Sequence, residues 1–144
     1  MTILFSLLSL FYIASIFILA GSPVTESLSE YNPYSLLHIP LYGILAFLLA
    51  LSIVPVRRRP QNRSIQQDDG LTMPAVKKRA SLKLRLFVVG VVSLVVGSLD
   101  EVHQLYIPGR DGSIIDIGLD IVGIAVALVL FFGLFKTGVL NFKK

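Results

Sequence analysis

The chain contains no cysteine, which excludes disulfides, thiol nucleophiles and cysteine-ligated metal ions. Charged residues are also scarce, at 15% of the 144 residues, whereas an ordinary soluble domain carries roughly 25%. The sequence has no HExxH zinc motif, no nucleophile elbow, no glycine-rich phosphate loop and no internal repeat. Hydrophobic residues dominate instead, at 54%, and the mean hydropathy is +0.78. These features indicate a membrane protein.

Four long apolar segments predict an all-α integral membrane protein, a four-helix bundle that forms a single domain over residues 1–144. Each segment is close to the roughly 20 residues that a helix needs to cross a bilayer, and none shows the alternation of a membrane barrel. The first segment lacks a basic leader, so we expect an uncleaved span rather than a signal peptide. The predicted spans are residues 3–20, 36–56, 84–106 and 117–135.

The basic residues are concentrated in two places. Nine of the thirteen lie between Arg57 and Arg85, and three more lie from Lys136 onward. Because positive loops stay in the cytoplasm, we expect the basic loop 57–83 and both termini there, in a multi-pass protein of the cell membrane. Loops 21–35 and 107–116 then lie outside. The net charge of +4 therefore indicates topology, and no nucleic-acid partner is expected. The basic loop is either a linker near anionic headgroups or a partner-binding arm.

Polar residues on three of the spans are predicted to lie at one depth. Tyr42, Asp100 and Asp120 each lie about 15 residues above the basic residue that marks the inner end of their helix, which is roughly 22–24 Å into a hydrocarbon layer about 30 Å thick. Ionisable groups at that depth are costly unless they face a bundle interior or a wet cavity. We therefore expect a shared polar site beneath the outer surface. Slightly nearer that surface lie His38, Glu101, His103, Gln104 and Asp116.

Small residues share a helical face with these acids. On the fourth segment, Asp116, Asp120 and Gly123 follow helical spacing, and small residues let membrane helices approach closely. The stripes can pack within one chain or between copies, so a homo-oligomer stays open. Because successive helical residues point about 100° apart, only one of Asp100 and Glu101 is expected to face the site. The other small residues of the two stripes are Gly90, Ser93, Gly97 and Ala127.

A turn joins the third and fourth segments. Pro108 and Gly109 predict a chain reversal, and Ser113 is placed to cap the helix that follows. Arg110 is thereby held at the mouth of the polar site. Its planar guanidinium suits a phosphate or a carboxylate.

The segment DEVHQLYIPGRDGSIIDIGLDIVG, residues 100–123, resembles the VanZ-like membrane proteins. Their hallmark is D-E-x-x-Q, then P-G-R, then an aspartate that opens the next helix, with H-x3-Y-x2-L on the second helix. Two positions differ, since Ser35 replaces a frequent lysine and Asp120 a frequent amide. The resemblance spans about residues 35–130 except the basic loop. The matching residues are His38, Tyr42, Leu45, Asp100, Glu101, Gln104, Pro108, Gly109, Arg110, Asp116 and Gly123.

The resemblance implies a setting rather than a reaction, because the family is named for a protein linked to low-level resistance to teicoplanin-type glycopeptides. We expect an outward-facing polar pocket that binds or processes an envelope lipid or lipid-linked precursor, and whether it is an enzyme stays open. No cofactor is expected, nor a metal ion, since no metal-ligand spacing occurs. The candidate catalytic residues are Asp100, Glu101 and His103. The candidate ligand-binding residues are His38, Tyr42, Gln104, Arg110, Asp116 and Asp120.

Two other functions are compatible with the same residues. In the first, the protein is a non-catalytic structural or interaction protein, and the polar network only locks the helices together. In the second, it is an ion-coupled carrier, which needs polar groups that continue toward the cytoplasm. Below the expected site the segments carry small and apolar residues, with only serines such as Ser52 and Ser93 as polar groups, which disfavours the carrier.

The predicted topology is testable by cysteine labelling, because the parent chain has no cysteine to remove. A membrane-impermeant maleimide should label Ser27→Cys on intact cells, and should label Ser64→Cys only after permeabilisation. The parent chain is the unlabelled control. The opposite labelling pattern would reverse the assignment of the two sides.

Overall fold

The computed structural model describes residues 2–22, 32–54 and 81–137, with side chains from residue 3 in the first range and residue 35 in the second. Within these ranges the chain forms four α-helices, one short 3-10 helix and no strand. The predicted basic loop 57–83 lies outside the described residues apart from its last three. The helices are α1 (Thr2–Ala20), α2 (His38–Ile53), α3 (Leu82–Gln104) and α4 (Ile114–Lys136), and the 3-10 helix Asn32–Leu37 leads into α2.

All four helices are long and apolar enough to cross a membrane, which confirms the all-α, multi-pass prediction. Large apolar side chains cover the outside of the bundle: Phe11 is 74% exposed and Val129 is 71% exposed. Polar side chains instead lie inside, as expected where the solvent is hydrocarbon rather than water. The buried polar residues are Ser9, His38, Ser93, Asp100, Glu101, Gln104, Asp116 and Asp120.

Serine caps set the starts of α3 and α4. The Ser81 hydroxyl accepts a hydrogen bond from the Leu84 amide at 3.3 Å, and Ser113 accepts one from the Ile115 amide at 3.2 Å. The prediction that Ser113 caps the fourth helix is confirmed. Both helices begin a few residues before the predicted apolar segments. A helix begins after its capping residue, whereas the predicted segments began at the apolar residues that follow the charged ones.

The second helix is shorter than its apolar run, which was predicted to extend over residues 36–56. Its first two residues belong to the 3-10 helix, and α2 ends at Ile53, just before Pro55 in the sequence. The Arg85 guanidinium donates from Nη1 to the Ile53 carbonyl at 2.6 Å. A cation that binds a C-terminal carbonyl satisfies an unpaired acceptor and the helix dipole together. This contact joins the end of α2 to the first turn of α3.

Two glycines let α2 and α4 cross in near contact. A Cβ on Gly43 would lie 3.2 Å from the Gly123 carbonyl oxygen, and a Cβ on Gly123 would collide with the Ile39 carbonyl. Close backbone approach of this kind is how small residues pack membrane helices. At this crossing the small-residue stripe of α4 is therefore used within one chain.

An apolar core fills the half of the bundle that contains the end of α2 and the start of α3. Leu45, Val89 and Phe131 are fully buried there, and the rings of Phe47 and Phe131 meet edge to face at 5.6 Å. The core separates the polar groups near His38 from the basic end of the bundle. A carrier would need a polar path through it.

The first helix packs chiefly against α2. The Tyr12 hydroxyl donates to the Leu41 carbonyl at 3.1 Å, and the Ser6 hydroxyl donates to the Ser52 hydroxyl at 3.3 Å. Hydrogen bonds between membrane helices are worth about 0.6 kcal/mol on average. The helix α1 therefore supports α2 from outside the polar site.

We predict that Gly123→Ala destabilises the bundle by about 1–3 kcal/mol, because the added methyl meets the Ile39 backbone in a packed crossing. Gly118→Ala on the same helix is the matched control, since nothing lies within 4 Å of its Cβ position. It should be neutral or stabilising, because alanine favours helix over glycine. Unfolding in detergent micelles measures both, and equal effects would contradict the close crossing.

Candidate functional site

The structure brings polar side chains from α2, α3 and α4 into one buried group, here called the polar cluster. Its members are more than nine-tenths buried, and Asp120 and the adjoining Tyr42 are completely so. Tyr42, Asp100 and Asp120 meet as the common depth predicted. The polar cluster consists of His38, Asp100, Glu101, Gln104, Asp116 and Asp120.

His38 is the centre of the polar cluster. Its Nδ1 lies 2.9 Å from Asp120 Oδ1 and 3.8 Å from Glu101 Oε1, while its Nε2 lies 3.9 Å from Asp116 Oδ2. Only the Asp120 contact is short enough for a hydrogen bond. One imidazole from α2 thus faces carboxylates of both α3 and α4. From the sequence, this histidine was expected only as one of six ligand-binding residues.

Gln104 joins the two adjacent acids of α3. Its Nε2 donates to Asp100 Oδ2 at 3.1 Å and more weakly to Glu101 Oε1 at 3.4 Å. Its Oε1 accepts a hydrogen bond from Arg110 Nη2 at 3.2 Å. The prediction that only one of the two acids faces the site is wrong. The 100° between them is bridged by an amide one helical turn away, which reaches both carboxylates.

Tyr42 closes the inner side of the polar cluster. Its ring stacks on His38 with centroids 5.9 Å apart, and its buried hydroxyl makes no hydrogen bond to any described residue. Gly97 of α3 leaves the room for this arrangement. A Cβ there would lie 2.5 Å from Asp120 Oδ2 and 3.3 Å from the Tyr42 ring.

A tight turn places Arg110 beside the polar cluster. Pro108 and Gly109 occupy its centre, Gly109 has a φ of 79°, and the Arg110 amide donates to the Ile107 carbonyl at 3.2 Å. This is a type II turn, which needs the left-handed conformation that glycine adopts at its third position. Arg110 is half-buried at the end of the turn, as its predicted place at the mouth requires.

The start of α4 is attached to Glu101 through its own backbone. The Ser113 amide donates to Glu101 Oε2 at 2.7 Å. An amide at a helix N-terminus is a favourable partner for a carboxylate, because the helix dipole adds to the hydrogen bond. Glu101 is thereby held at one oxygen, and Oε1 is directed toward His38.

Ser35 is a site residue that sequence reasoning missed. Its hydroxyl donates to Asp116 Oδ1 at 2.5 Å. From the sequence, Ser35 was noted only because VanZ-like proteins frequently have a lysine at this position. Its position three residues before His38, one helical turn away, is the signal that could have found it.

His103 is set apart from the polar cluster. It is half-buried, and its ring meets Phe17 of α1 edge to face at 5.4 Å. In the part of the chain that the structure describes, it makes no hydrogen bond to Asp100 or Glu101. The structure thus brings eight of the nine predicted site residues together, and leaves His103 against α1.

The polar cluster is rich in negative groups. Among the described residues it contains four carboxyl groups and one imidazole, and three of the carboxyl groups lie within 4 Å of that imidazole. The Arg110 guanidinium is linked to the fourth, Asp100, through Gln104. Like charges repel strongly in a low-dielectric interior, so protons, cations or hydrogen-bond donors are favoured there over anions. An anionic group is favoured only at Arg110.

Three members of the polar cluster have the composition of a metal site. His38, Glu101 and Asp116 each offer one ligand atom, and these atoms lie within 4.8 Å of one another. The expectation of no metal ion was based on contiguous ligand motifs. Such motifs cannot detect ligands that three separate helices contribute.

An apolar groove runs along the outer surface of α2 and α4, starting next to the polar cluster. Its cavity volume is about 370 Å³. Ile39 at its upper end follows His38 in the chain, and Gly123 lies one turn below Asp120. The groove therefore lies on the outer, apolar surface of the bundle. Its lining includes Ile39, Gly43, Phe47, Gly123, Val126 and Leu130.

We predict that His38→Ala destabilises the bundle by about 3 kcal/mol, since it leaves Asp120 buried without its partner. His103→Ala should cost about 1 kcal/mol, which is the scale of one aromatic contact. Both histidines lie at the same end of the bundle, so the second variant controls for depth. Unfolding in detergent measures the two losses, and equal losses would contradict the central place of His38.

Comparison of the chain with protein-family models, with curated proteins and with solved structures finds no match. What can be said of function therefore depends on the residues themselves and on where the fold places them.

Proposed function

We propose that the chain is a VanZ-like membrane protein whose polar cluster faces the extracytoplasmic side and binds or processes the head of an envelope lipid or lipid-linked precursor. One observation carries the proposal: buried titratable groups from three apolar helices converge beside an arginine at the mouth of the bundle. Groups so costly to bury are retained in membrane helices chiefly where they serve a site.

The charges define the head that suits this site. The carboxyl groups favour a head that carries hydrogen-bond donors, such as hydroxyl, amide or amine groups. Arg110 suits an anionic group on the same molecule, because its fork can bind two oxygens of a phosphate or carboxylate. The preferred ligand is thus a head with donors and one acidic group.

The position of the apolar groove favours a lipid over a soluble molecule as the ligand. It begins at the level of Ile39 and Gly123, beside the polar cluster, and continues along both helices to Phe47 and Leu130. An alkyl or isoprenoid chain in the groove would keep its own head level with His38. Each buried methylene adds about 0.8 kcal/mol relative to water, although in lipid most of that gain is already present. The groove therefore gives orientation more than affinity.

Catalysis would use the acids that touch the ligand. Asp100 and Glu101 are placed to exchange protons, and Gln104 holds both in position. His38 is closer to the acids of the polar cluster than His103 is, since its Nδ1 lies 2.9 Å from Asp120 Oδ1 and 3.8 Å from Glu101 Oε1. A link to glycopeptide resistance follows from the resemblance alone.

A second candidate function is purely structural. It is favoured by hydrogen bonds that join separate elements, from Ser35 to Asp116, from His38 to Asp120 and from Ser113 to Glu101. In this case the network locks α2, α3 and α4 together and binds nothing. The two candidates differ in what removal of a residue at the mouth does.

We predict that native mass spectrometry of the protein, extracted with its own lipids, finds a lipid bound at one per chain. Arg110→Gln should reduce the bound fraction about tenfold, since a charged hydrogen bond of about 1.5 kcal/mol is lost. Lys83→Gln is the control with the same change of charge, because Lys83 is exposed at the other end of the bundle.

Equal lipid retention in the two variants, or no lipid on the wild-type chain, would reject the lipid site. A fall in thermal stability of Arg110→Gln without any change in bound lipid would support the structural candidate instead. Arg110→Lys separates charge from shape, because lysine keeps the charge and loses the bidentate fork.

A further inference from the structure

We propose that His38, Glu101 and Asp116 bind one divalent cation of the Zn²⁺ or Mn²⁺ class. The three residues come from α2, α3 and α4, and each is at least nine-tenths buried. The proposal is based on the arrangement of ligands and does not need a lipid to be bound. Any role of the ion in holding a phosphate rests on the proposed function.

The ligand atoms are close to the separations that a metal ion imposes. Bonds of 2.0–2.2 Å to nitrogen and oxygen place neighbouring ligand atoms roughly 3–4 Å apart. His38 Nε2 and Asp116 Oδ2 are 3.9 Å apart, and the full set lies within 4.8 Å. The 3.9 Å separation is too long for a hydrogen bond and right for two ligands of one ion. Rotamer adjustments of less than about 1 Å would close the set.

Each of the three prospective ligands is oriented by a hydrogen bond to a residue outside the set. Asp120 Oδ1 binds His38 Nδ1 at 2.9 Å, which leaves Nε2 as the nitrogen that faces Asp116. Carboxylate–histidine–metal arrangements of this kind fix the tautomer and the ring orientation of metal-binding histidines. In the described residues, Nε2 makes no hydrogen bond of its own, although His38 is only 4% exposed.

The two carboxylates are held in the same way. The Ser35 hydroxyl binds Asp116 Oδ1 at 2.5 Å and leaves Oδ2 toward His38. The Ser113 amide binds Glu101 Oε2 at 2.7 Å. Oε1 of the same carboxylate lies 3.8 Å from His38 Nδ1 and accepts a weak hydrogen bond from Gln104 Nε2 at 3.4 Å, and one Glu101 oxygen lies within 4.8 Å of the other two prospective ligand atoms. Three prospective ligands, each oriented by a different outside donor or acceptor, form a supported metal site rather than a chance group of acids.

The charge of the polar cluster favours the same conclusion. A divalent cation among four carboxyl groups offsets repulsion that the surrounding hydrocarbon does not screen. Asp120 Oδ2 is fully buried and lacks a hydrogen-bond partner among the described residues, so the excess of acceptors extends beyond the ligands. One nitrogen with two carboxylate oxygens suits Zn²⁺ or Mn²⁺ better than Ca²⁺, which takes six to eight oxygens.

The test is Mn²⁺ binding to the full-length protein, purified in detergent and freed of metals with a chelator. Electron paramagnetic resonance should count one bound Mn²⁺ per chain, and pulsed measurements should detect a coupled nitrogen from His38. In His38→Gln the nitrogen coupling should disappear. Asp116→Asn should weaken binding at least tenfold, whereas Asp111→Asn, the same change at an exposed position three residues before α4, should bind as the wild type does.

Wild-type binding no tighter than that of Asp116→Asn, or a nitrogen coupling that persists in His38→Gln, would overturn the proposal and assign protons alone to the polar cluster. If either variant fails to fold, Ser35→Ala decides, because loss of a supporting hydrogen bond typically weakens a metal site 10–100-fold. Mn²⁺ binding by protein that retains no lipid would leave this inference intact while the proposed function fails. Lipid retention without Mn²⁺ binding would do the reverse.

Discussion

The short contact between His38 and Asp120 is the interaction on which the rest of this structure depends. It joins α2 to α4 at 2.9 Å, at a fully buried position, where neither partner could be exchanged for water. Because both groups would be costly to bury alone, the two helices must stay in register wherever the pair forms. The glycine crossing between Gly43 and Gly123 then follows as the geometry that brings the two side chains within reach. A bulkier crossing would move the helices apart and leave both groups without partners.

Around this pair the interior of the protein is more polar than its exterior. The surroundings of the pair differ toward the two ends of the bundle. Toward the apolar core, Tyr42 and the residues beneath it isolate the pair from the far end of the bundle. Toward the mouth, hydrogen bonds pass through Gln104 to Arg110 on the connecting turn. The polar cluster is therefore closed by the apolar core on one side and borders the Arg110 turn on the other.

Much of this arrangement could be predicted from the sequence because a membrane restricts what polar residues can do. The length and hydropathy of the segments predict the helices. The equal depth of Tyr42, Asp100 and Asp120 predicts that these three residues lie close together. The contacts between individual side chains were not predicted correctly. The 100° between Asp100 and Glu101 on the helix excluded a shared site only because the reach of Gln104 to both carboxylates was left out. Ser35 was missed because its position one turn before His38 does not say which helix its hydroxyl contacts. His103 looked equivalent to His38 in depth, but helical rotation turned it toward Phe17.

The contact of Arg85 with the end of α2 has a consequence for the long stretch of chain between the two helices. The Arg85 guanidinium donates a hydrogen bond to the Ile53 carbonyl at 2.6 Å. The helix ends on either side of the connecting loop are therefore joined to each other directly. A change in the length of that stretch should then cost the packing of α2 against α3 little, since a longer loop adds only slightly to the entropy of closure.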